Sequence, residues 1–247
     1  MSNCLTQVRF LRSSSALNMI TAATDGYVTL WNLTSVLEPF YSLSSSGTSD
    51  LSAKQPSQDL RVTSPAIISC ENRYQMHSNS IKSLELSHVS DDVSVVLAGG
   101  DDNALTISLF RESSSSPEAD RAESGVRATT VSVPDAHAAS ITATKLLRQW
   151  QTETESGSGS ARTEILFASS GNDHRVKLWS LQVDPEQDGP EGITGVRMVL
   201  DQYSAVADIS SLDVMTESEE ESEGSTLRCM TLLVCGVGME ALKMTLA

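Results

Sequence analysis

At 247 residues, with 39% hydrophobic and only 4% aromatic content, the chain can bury one large all-β core or the cores of two smaller domains. A formal charge of −15 repels phosphate at long range, which disfavours this chain as the main grip on a nucleic acid and suits a basic protein partner. The sequence shows no apolar run of about 18 residues and no basic n-region leading into an apolar h-region; neither membrane insertion nor export is expected, and the expected compartment is the cytoplasm, with the nucleus open.

Val, Ile, Leu and Thr recur in short runs broken by Ser, Gly, Asp and Asn, which is the pattern of strands and not of helices. Residues 5–11 (LTQVRFL), 19–24 and 27–33 read as three strands, with Asp25-Gly26 at a tight turn where glycine accepts φ > 0. A Ser-rich stretch at 34–65 is too polar to hold a core and reads as a mobile insertion ahead of an outer strand at 67–76. These make a first unit over 4–76. The second unit, 80–133, takes strands at 80–86, 93–100, 104–110 and 126–133, with a Ser-rich break at 112–125. The third, 137–202, has strands at 140–147 and 165–170, another through Val176, Leu178 and Trp179, and an outer strand at 195–202. Its insertion at 151–163 has a GSGS core that reads as flexible, and 185–192 is a further loop. The fourth unit, 205–246, has strands at 205–214, 227–236 and 240–246, an acidic Ser/Glu loop at 216–226 read as solvated and disordered, and no outer strand.

Residues 168–181 (ASSGNDHRVKLWSL) and 21–33 (TAATDGYVTLWNL) are near-copies, with Asp173 six residues before Trp179 and Asp25 six before Trp31. A strand–turn–strand unit recurring along an all-β pattern is the signature of a β-propeller of four-stranded blades. In the third unit His137, Ser169, Asp173 and Trp179 fall where a WD repeat carries a hydrogen-bonded tetrad. The Asp can orient the His ring, the His can meet the Ser hydroxyl, and the hydroxyl can meet the indole N–H. Thr21, Asp25 and Trp31 hold the repeat positions of the first unit, and His77 and Asp102 those of the second, where Ser108 stands in the Trp slot. The expected fold is therefore all-β: a partial WD-repeat propeller of about four blades in an open arc, with long disordered Ser-rich and acidic loops. His, Ser and Asp could pass for a hydrolase triad, but Ser169 lies within a strand and lacks a GxSxG elbow, so no catalytic residue is assigned.

Other features read as structural. The VCGVGM run at 234–239 resembles a cofactor loop, yet no helix and further strand can follow in the eight residues after Met239, so its glycines make a tight turn between the last two strands. The LAGGDDN run at 97–103 is a turn whose two acids would repel phosphate. Cys4, Cys70, Cys229 and Cys235 show neither CxxC pairing nor a neighbouring His, so no metal site is expected and the thiols read as reduced and mostly buried. Trp150 reads as the cap of a strand end before it reads as a partner anchor, and His88 and His174 as exposed loop residues.

Residues 74–86 (YQMHSNSIKSLEL), 135–147 (DAHAASITATKLL), 206–212 (VADISSL) and 234–244 (VCGVGMEALKM), in this order, resemble the C-terminal region of the WD repeat-containing protein six family. The AHAA element and the VAD…GVGME ending carry the likeness, which spans about four blades. It implies a non-catalytic scaffold subunit that holds a tRNA 2′-O-methyltransferase and positions tRNA for methylation of the wobble nucleotide, position 34. The catalytic subunit would bind S-adenosylmethionine and this chain no cofactor, with tRNA met mainly by upstream blades and by the enzyme. The chain is shorter than that family's members, which with Ser108 and the acidic insertions leads to the expectation of a C-terminal piece of a longer protein or a truncated one. The alternative is a general WD-repeat adaptor for signalling or endosomal trafficking that recognises protein segments without RNA.

Overall fold

The structure, a computed structural model, describes residues 3–12, 17–34, 36, 68, 70–112, 125–152, 161–222 and 225–246. The chain is all-β. Four antiparallel sheets follow one another along it, and within each sheet strands adjacent in sequence are adjacent in space. The first sheet contains β1 (Leu5–Arg12), β2 (Leu17–Ala23), β3 (Tyr27–Asn32) and β4 (Cys70–Gln75). The second contains β5 (Ile81–His88), β6 (Val93–Gly100), β7 (Leu105–Glu112) and β8 (Val126–Val133). The third contains β9 (Ile141–Thr152), β10 (Arg162–Gly171), β11 (Arg175–Val183) and β12 (Ile193–Tyr203). The fourth pairs β13 (Ala207–Ser222) with the run β14 (Ser225–Leu246). That run doubles back on itself, because Cys229 Sγ lies 3.7 Å from Thr245 Oγ1 while sixteen extended residues would span about 50 Å. The reversal falls at Gly238, whose φ of 112° suits a residue without a side chain.

Alternation along each strand gives every sheet two apolar faces, and three core clusters fill the spaces between successive sheets. Ile20, Ala22, Val28 and Leu30 of the first sheet meet Val96, Ala98 and Phe110 of the second. The opposite face of the second sheet, Val95, Leu97, Ile107 and Leu109, meets Ile165, Phe167, Trp179 and Leu181 of the third. Leu166, Ala168, Val176 and Leu178 then meet Ile209, Leu212, Leu232 and Val234 of the fourth. Phe167 and Trp179 stack with centroids 6.4 Å apart, an arrangement that adds about 0.5–1.5 kcal/mol to their burial. The leading strands β1, β5, β9 and β13 pack in succession, and among the described residues no comparable packing joins β13 back to β1.

Several expectations are corrected. The acidic segment at 216–226 is not a loop: β13 runs to Ser222 and β14 starts at Ser225, because the ladder continues cross-strand pairing beyond the core. The expected insertion at 151–163 is shorter, since Gln151, Thr152, Arg162 and Thr163 pair in β9 and β10; its remainder at 153–160 lies outside the described residues, as do 37–67 and 113–124. The outer strand of the first sheet covers Cys70–Gln75. Cys4 and Cys70 are exposed and only Cys229 is fully buried, although all four thiols are free. Trp150 lies within β9 and packs against the cluster between the third and fourth sheets. The loop after β11 includes a 3-10 turn at Pro190–Gly192 and is held to the second sheet by Arg111, whose guanidinium donates to the carbonyls of Asp184, Pro185 and Gln187.

At the first turn Gly26 has φ of 82°, and a Cβ there would sit 2.2 Å from the His77 carbonyl oxygen. Gly26→Ala is expected to cost about 1–3 kcal/mol from the dihedral alone, with the clash adding to it, read as a lowered urea midpoint.

Candidate functional site

The chemistry-bearing residues gather where the turn between the second and third strands of a sheet meets the chain leading into its first strand. Such a lead-in has backbone N–H groups with no ladder partner, and a carboxylate in the turn is the strongest acceptor that can reach them. In the third sheet Asp173 Oδ2 accepts from Ala138 N at 2.9 Å and Asp173 Oδ1 from Arg175 N at 3.1 Å. Both carboxylate oxygens lie 3.0 Å from His137 Nδ1. His137 Nε2 is 2.8 Å from Ser169 Oγ, which accepts from Trp179 Nε1 at 2.8 Å.

The protonation states follow from the surroundings. Burial lowers the His137 pKa, and the Asp173 bond and charge oppose this without cancelling it. Burial works to raise the Asp173 pKa, but the His137 bond and the backbone donors Ala138 and Arg175 outweigh it and hold it below the ordinary value. A neutral imidazole thus donates from Nδ1 to an ionised carboxylate and accepts the Ser169 hydroxyl proton at Nε2. Each member of the network is satisfied. Ser169 is wholly buried and His137 is 1% exposed, so neither can meet a solute.

The other sheets carry the same clamp with different parts. In the second, Asp102 takes His77 Nδ1 at 2.8 Å, Ser78 N at 2.8 Å and Ala104 N at 3.3 Å. Burial would raise the Asp102 pKa, yet His77 and these backbone donors hold it down. Ala98 and Ser108 stand where the third sheet has Ser169 and Trp179, so His77 Nε2 is buried without a partner and Ser108 pairs instead with Thr130 Oγ1 at 2.7 Å. In the first sheet Trp31 Nε1 donates to Thr21 Oγ1 at 2.9 Å, Asp25 takes Tyr27 N at 3.1 Å, and Asn3 Nδ2 and Arg73 donate to Asp25 Oδ2.

Sequence reasoning missed two members. Glu240 Oε2 accepts from Ser204 Oγ at 2.7 Å and Ala205 N at 3.0 Å, which is the clamp of the fourth sheet. Asn3 is the lead-in donor of the first. Asn3, like Glu240's partner Ser204, follows from one signal, a short polar side chain just before a leading strand, which a search for His alone passes over. His174, read as an exposed loop residue, is half-buried; its Nδ1 lies 3.0 Å from the Val206 carbonyl and its ring stacks on Tyr203. His88 ends a strand, with Nδ1 2.9 Å from Ser94 Oγ.

Adjacent sheets are tied through the same turns. Gly26, Asn103 and His174 have φ of 82°, 63° and 60°, a left-handed geometry that Gly, Asn and His accept more readily than most residues. The Gly26 carbonyl accepts from His77 N at 3.1 Å, the Asn103 carbonyl from His137 N at 3.3 Å, and the His174 carbonyl from Ser204 N at 2.9 Å. The leading strands also line an open polar cavity of about 300 Å³, to which all four sheets contribute. Arg9 pairs with Glu85 at 3.4 Å and Lys145 with Asp213 at 3.0 Å along it.

No protein-family model matches the chain, and no curated protein matches it. Among the described residues no group of three or more His, Cys, Asp or Glu could hold a metal ion, and no helix is long and apolar enough to cross a membrane.

Ser169→Ala is expected to leave His137 Nε2 and Trp179 Nε1 unpartnered and to cost about 1–3 kcal/mol for each group in chemical denaturation. A pH series gives a separate check. Folded His137 resists protonation relative to an unfolded imidazole near pH 6.5, so its contribution is complete above about pH 6.5 and is lost as pH falls. Stability should drop as pH falls below about 6.5, and His137→Gln should flatten that slope. A further loss is expected below about pH 4, where Asp102 and Asp173, whose folded pKa values lie below their unfolded ones, take up protons.

Proposed function

We propose that the four sheets are blades of a WD-repeat β-propeller and that the chain is a non-catalytic scaffold subunit, holding a tRNA 2′-O-methyltransferase and positioning tRNA for methylation of the wobble nucleotide. The observation that carries the scaffold half of this reading is the saturation of the clamp network in the third sheet. His137, Ser169 and Asp173 have the identities of a hydrolase triad, but the hydroxyl is buried and the imidazole nitrogens are both engaged in holding strands together. A nucleophile needs an open path to its substrate. A platform needs rigidity, which a satisfied buried network supplies.

The tRNA half rests on the segments around His77, His137, Val206 and Gly238, which resemble the WD repeat-containing protein six family in the order given above. The same segments form the lead-in and turn elements of the second, third and fourth sheets. The charge of −15 disfavours phosphate contact by this chain, which supports a reading in which most tRNA contact is made elsewhere and this chain grips the enzyme.

Deleting the gene in its own source and measuring 2′-O-methylation at tRNA position 34 tests this directly: the modification is expected to fall to a small fraction of its normal level and to return on re-expression. Unchanged methylation would remove the tRNA reading and leave a general adaptor for protein segments in signalling or endosomal trafficking.

A further inference from the structure

Two of the joints between successive sheets are built on one plan, which is completed at only one of them. Where the second sheet meets the third, His137 N donates to the Asn103 carbonyl at 3.3 Å and Ala138 N to Asp173 Oδ2 at 2.9 Å. Where the first meets the second, His77 N donates to the Gly26 carbonyl at 3.1 Å and Ser78 N to Asp102 Oδ2 at 2.8 Å. The rings sit alike as well: a Cβ on Gly171 would lie 3.1 Å from His137 Nδ1, and one on Gly100 2.7 Å from His77 Nδ1. Backbone bonds, carboxylate and ring placement are therefore matched, and the two joints differ in what lies behind the imidazole. Behind His137 stands the Ser169 hydroxyl, 2.8 Å from Nε2. Ala98 precedes Asp102 by the same interval as Ser169 precedes Asp173, and its buried methyl neither donates nor accepts. His77 Nε2 is buried without a partner, and so are Ser80 Oγ and Ser83 Oγ. Three buried polar groups thus go unmet over residues 77–83, whereas none does over the corresponding residues 137–143. Opening the segment 77–83 lets each of its groups bond to water, so less is given up by opening there than at the third sheet.

We infer that residues 77–83, the lead-in and early part of β5, form a hinge that opens locally ahead of its counterpart in the third sheet and loosens the first sheet from the second. The coupling follows from shared atoms. Met76 N and His77 N both donate to the Gly26 carbonyl, at 3.0 and 3.1 Å, so a lead-in that lets go of Asp102 also lets go of the turn of the first sheet. The apolar cluster of Ile20, Val28, Leu30, Val96 and Phe110 then remains as the hold between the two sheets. The stiffness of the hinge is set by the side chain at position 98, because that is where a hydroxyl would meet His77 Nε2 as Ser169 meets His137.

Amide hydrogen exchange of the full chain, read residue by residue by NMR and corrected for intrinsic rates, tests the hinge. The amides of His77 and Ser78 should exchange about tenfold or more faster than those of His137 and Ala138, although their hydrogen bonds are equally short. Ala98→Ser should slow His77 and Ser78 by about tenfold and leave His137 and Ala138 unchanged. Ser169→Ala should act in the opposite sense on the third sheet, speeding His137 and Ala138 alone. Equal protection of the two lead-ins in the wild-type chain would overturn the inference, and that comparison needs no variant to fold. Exchange at His77 and Ser78 that Ala98→Ser leaves unchanged would overturn it too, since the opening would then start elsewhere. None of these outcomes bears on wobble methylation, so this test and the previous one fail separately.

Discussion

A carboxylate in or just beyond the turn of each sheet, bonded to the lead-in of that sheet's first strand, is the constraint on which the rest of the structure depends. Asp102, Asp173 and Glu240 each accept a backbone N–H and a side-chain donor from the residues just ahead of β5, β9 and β13. Bonds to an ionised acceptor contribute about 1.5–3 kcal/mol, more than a neutral pair, and here they satisfy groups that the ladders leave over. The turn also offers its carbonyl to the lead-in of the next sheet, so a single device both finishes one sheet and places its neighbour. Apolar packing between faces supplies most of the stabilisation; the clamp selects which faces meet.

The clamp tolerates substitution of its donor because the requirement is only a short group that can reach a carboxylate. His137, His77, Ser204 and Asn3 serve in turn. The extension beyond the clamp is less forgiving. In the third sheet Ser169 and Trp179 complete the network, and in the first Thr21 and Trp31 form its outer part. In the second, Ala98 and Ser108 end it at His77, whose Nε2 is left buried and unpartnered. Such a group has a cost of about 1–3 kcal/mol, which marks the second sheet as the one whose polar core is least complete. Its apolar core offsets this: every residue of β6 and the first six of β7 are buried, because the sheet is covered on both faces.

The two strand-turn-strand copies around Trp31 and Trp179 were legible because aromatic, turn acid and hydroxyl recur at fixed spacing, and period-two alternation located most strands to within a few residues, while β9 and β13 run on to Thr152 and Ser222. The fourth clamp was not legible. Glu240 stands beyond the turn and its longer side chain reaches back to Ser204, so neither identity nor spacing matches Asp173 and His137. The acidic hairpin was misread for a related reason: charge predicts solvation, but a ladder already begun by Leu212 and Val234 carries its pairing onward through polar residues.

Local composition alone determined the all-β character, the turns at Asp25, Asp102 and Asp173, and the likeness of the first and third sheets, since period, turn chemistry and spacing are properties of neighbours along the chain. Only the tertiary structure decided which carboxylate meets which lead-in, which faces are covered, and that His137 and Ser169 are sealed from solvent. Those outcomes join residues 32 to 36 positions apart through hydrogen bonds and packed surfaces, and no pattern read along a strand encodes what lies across it.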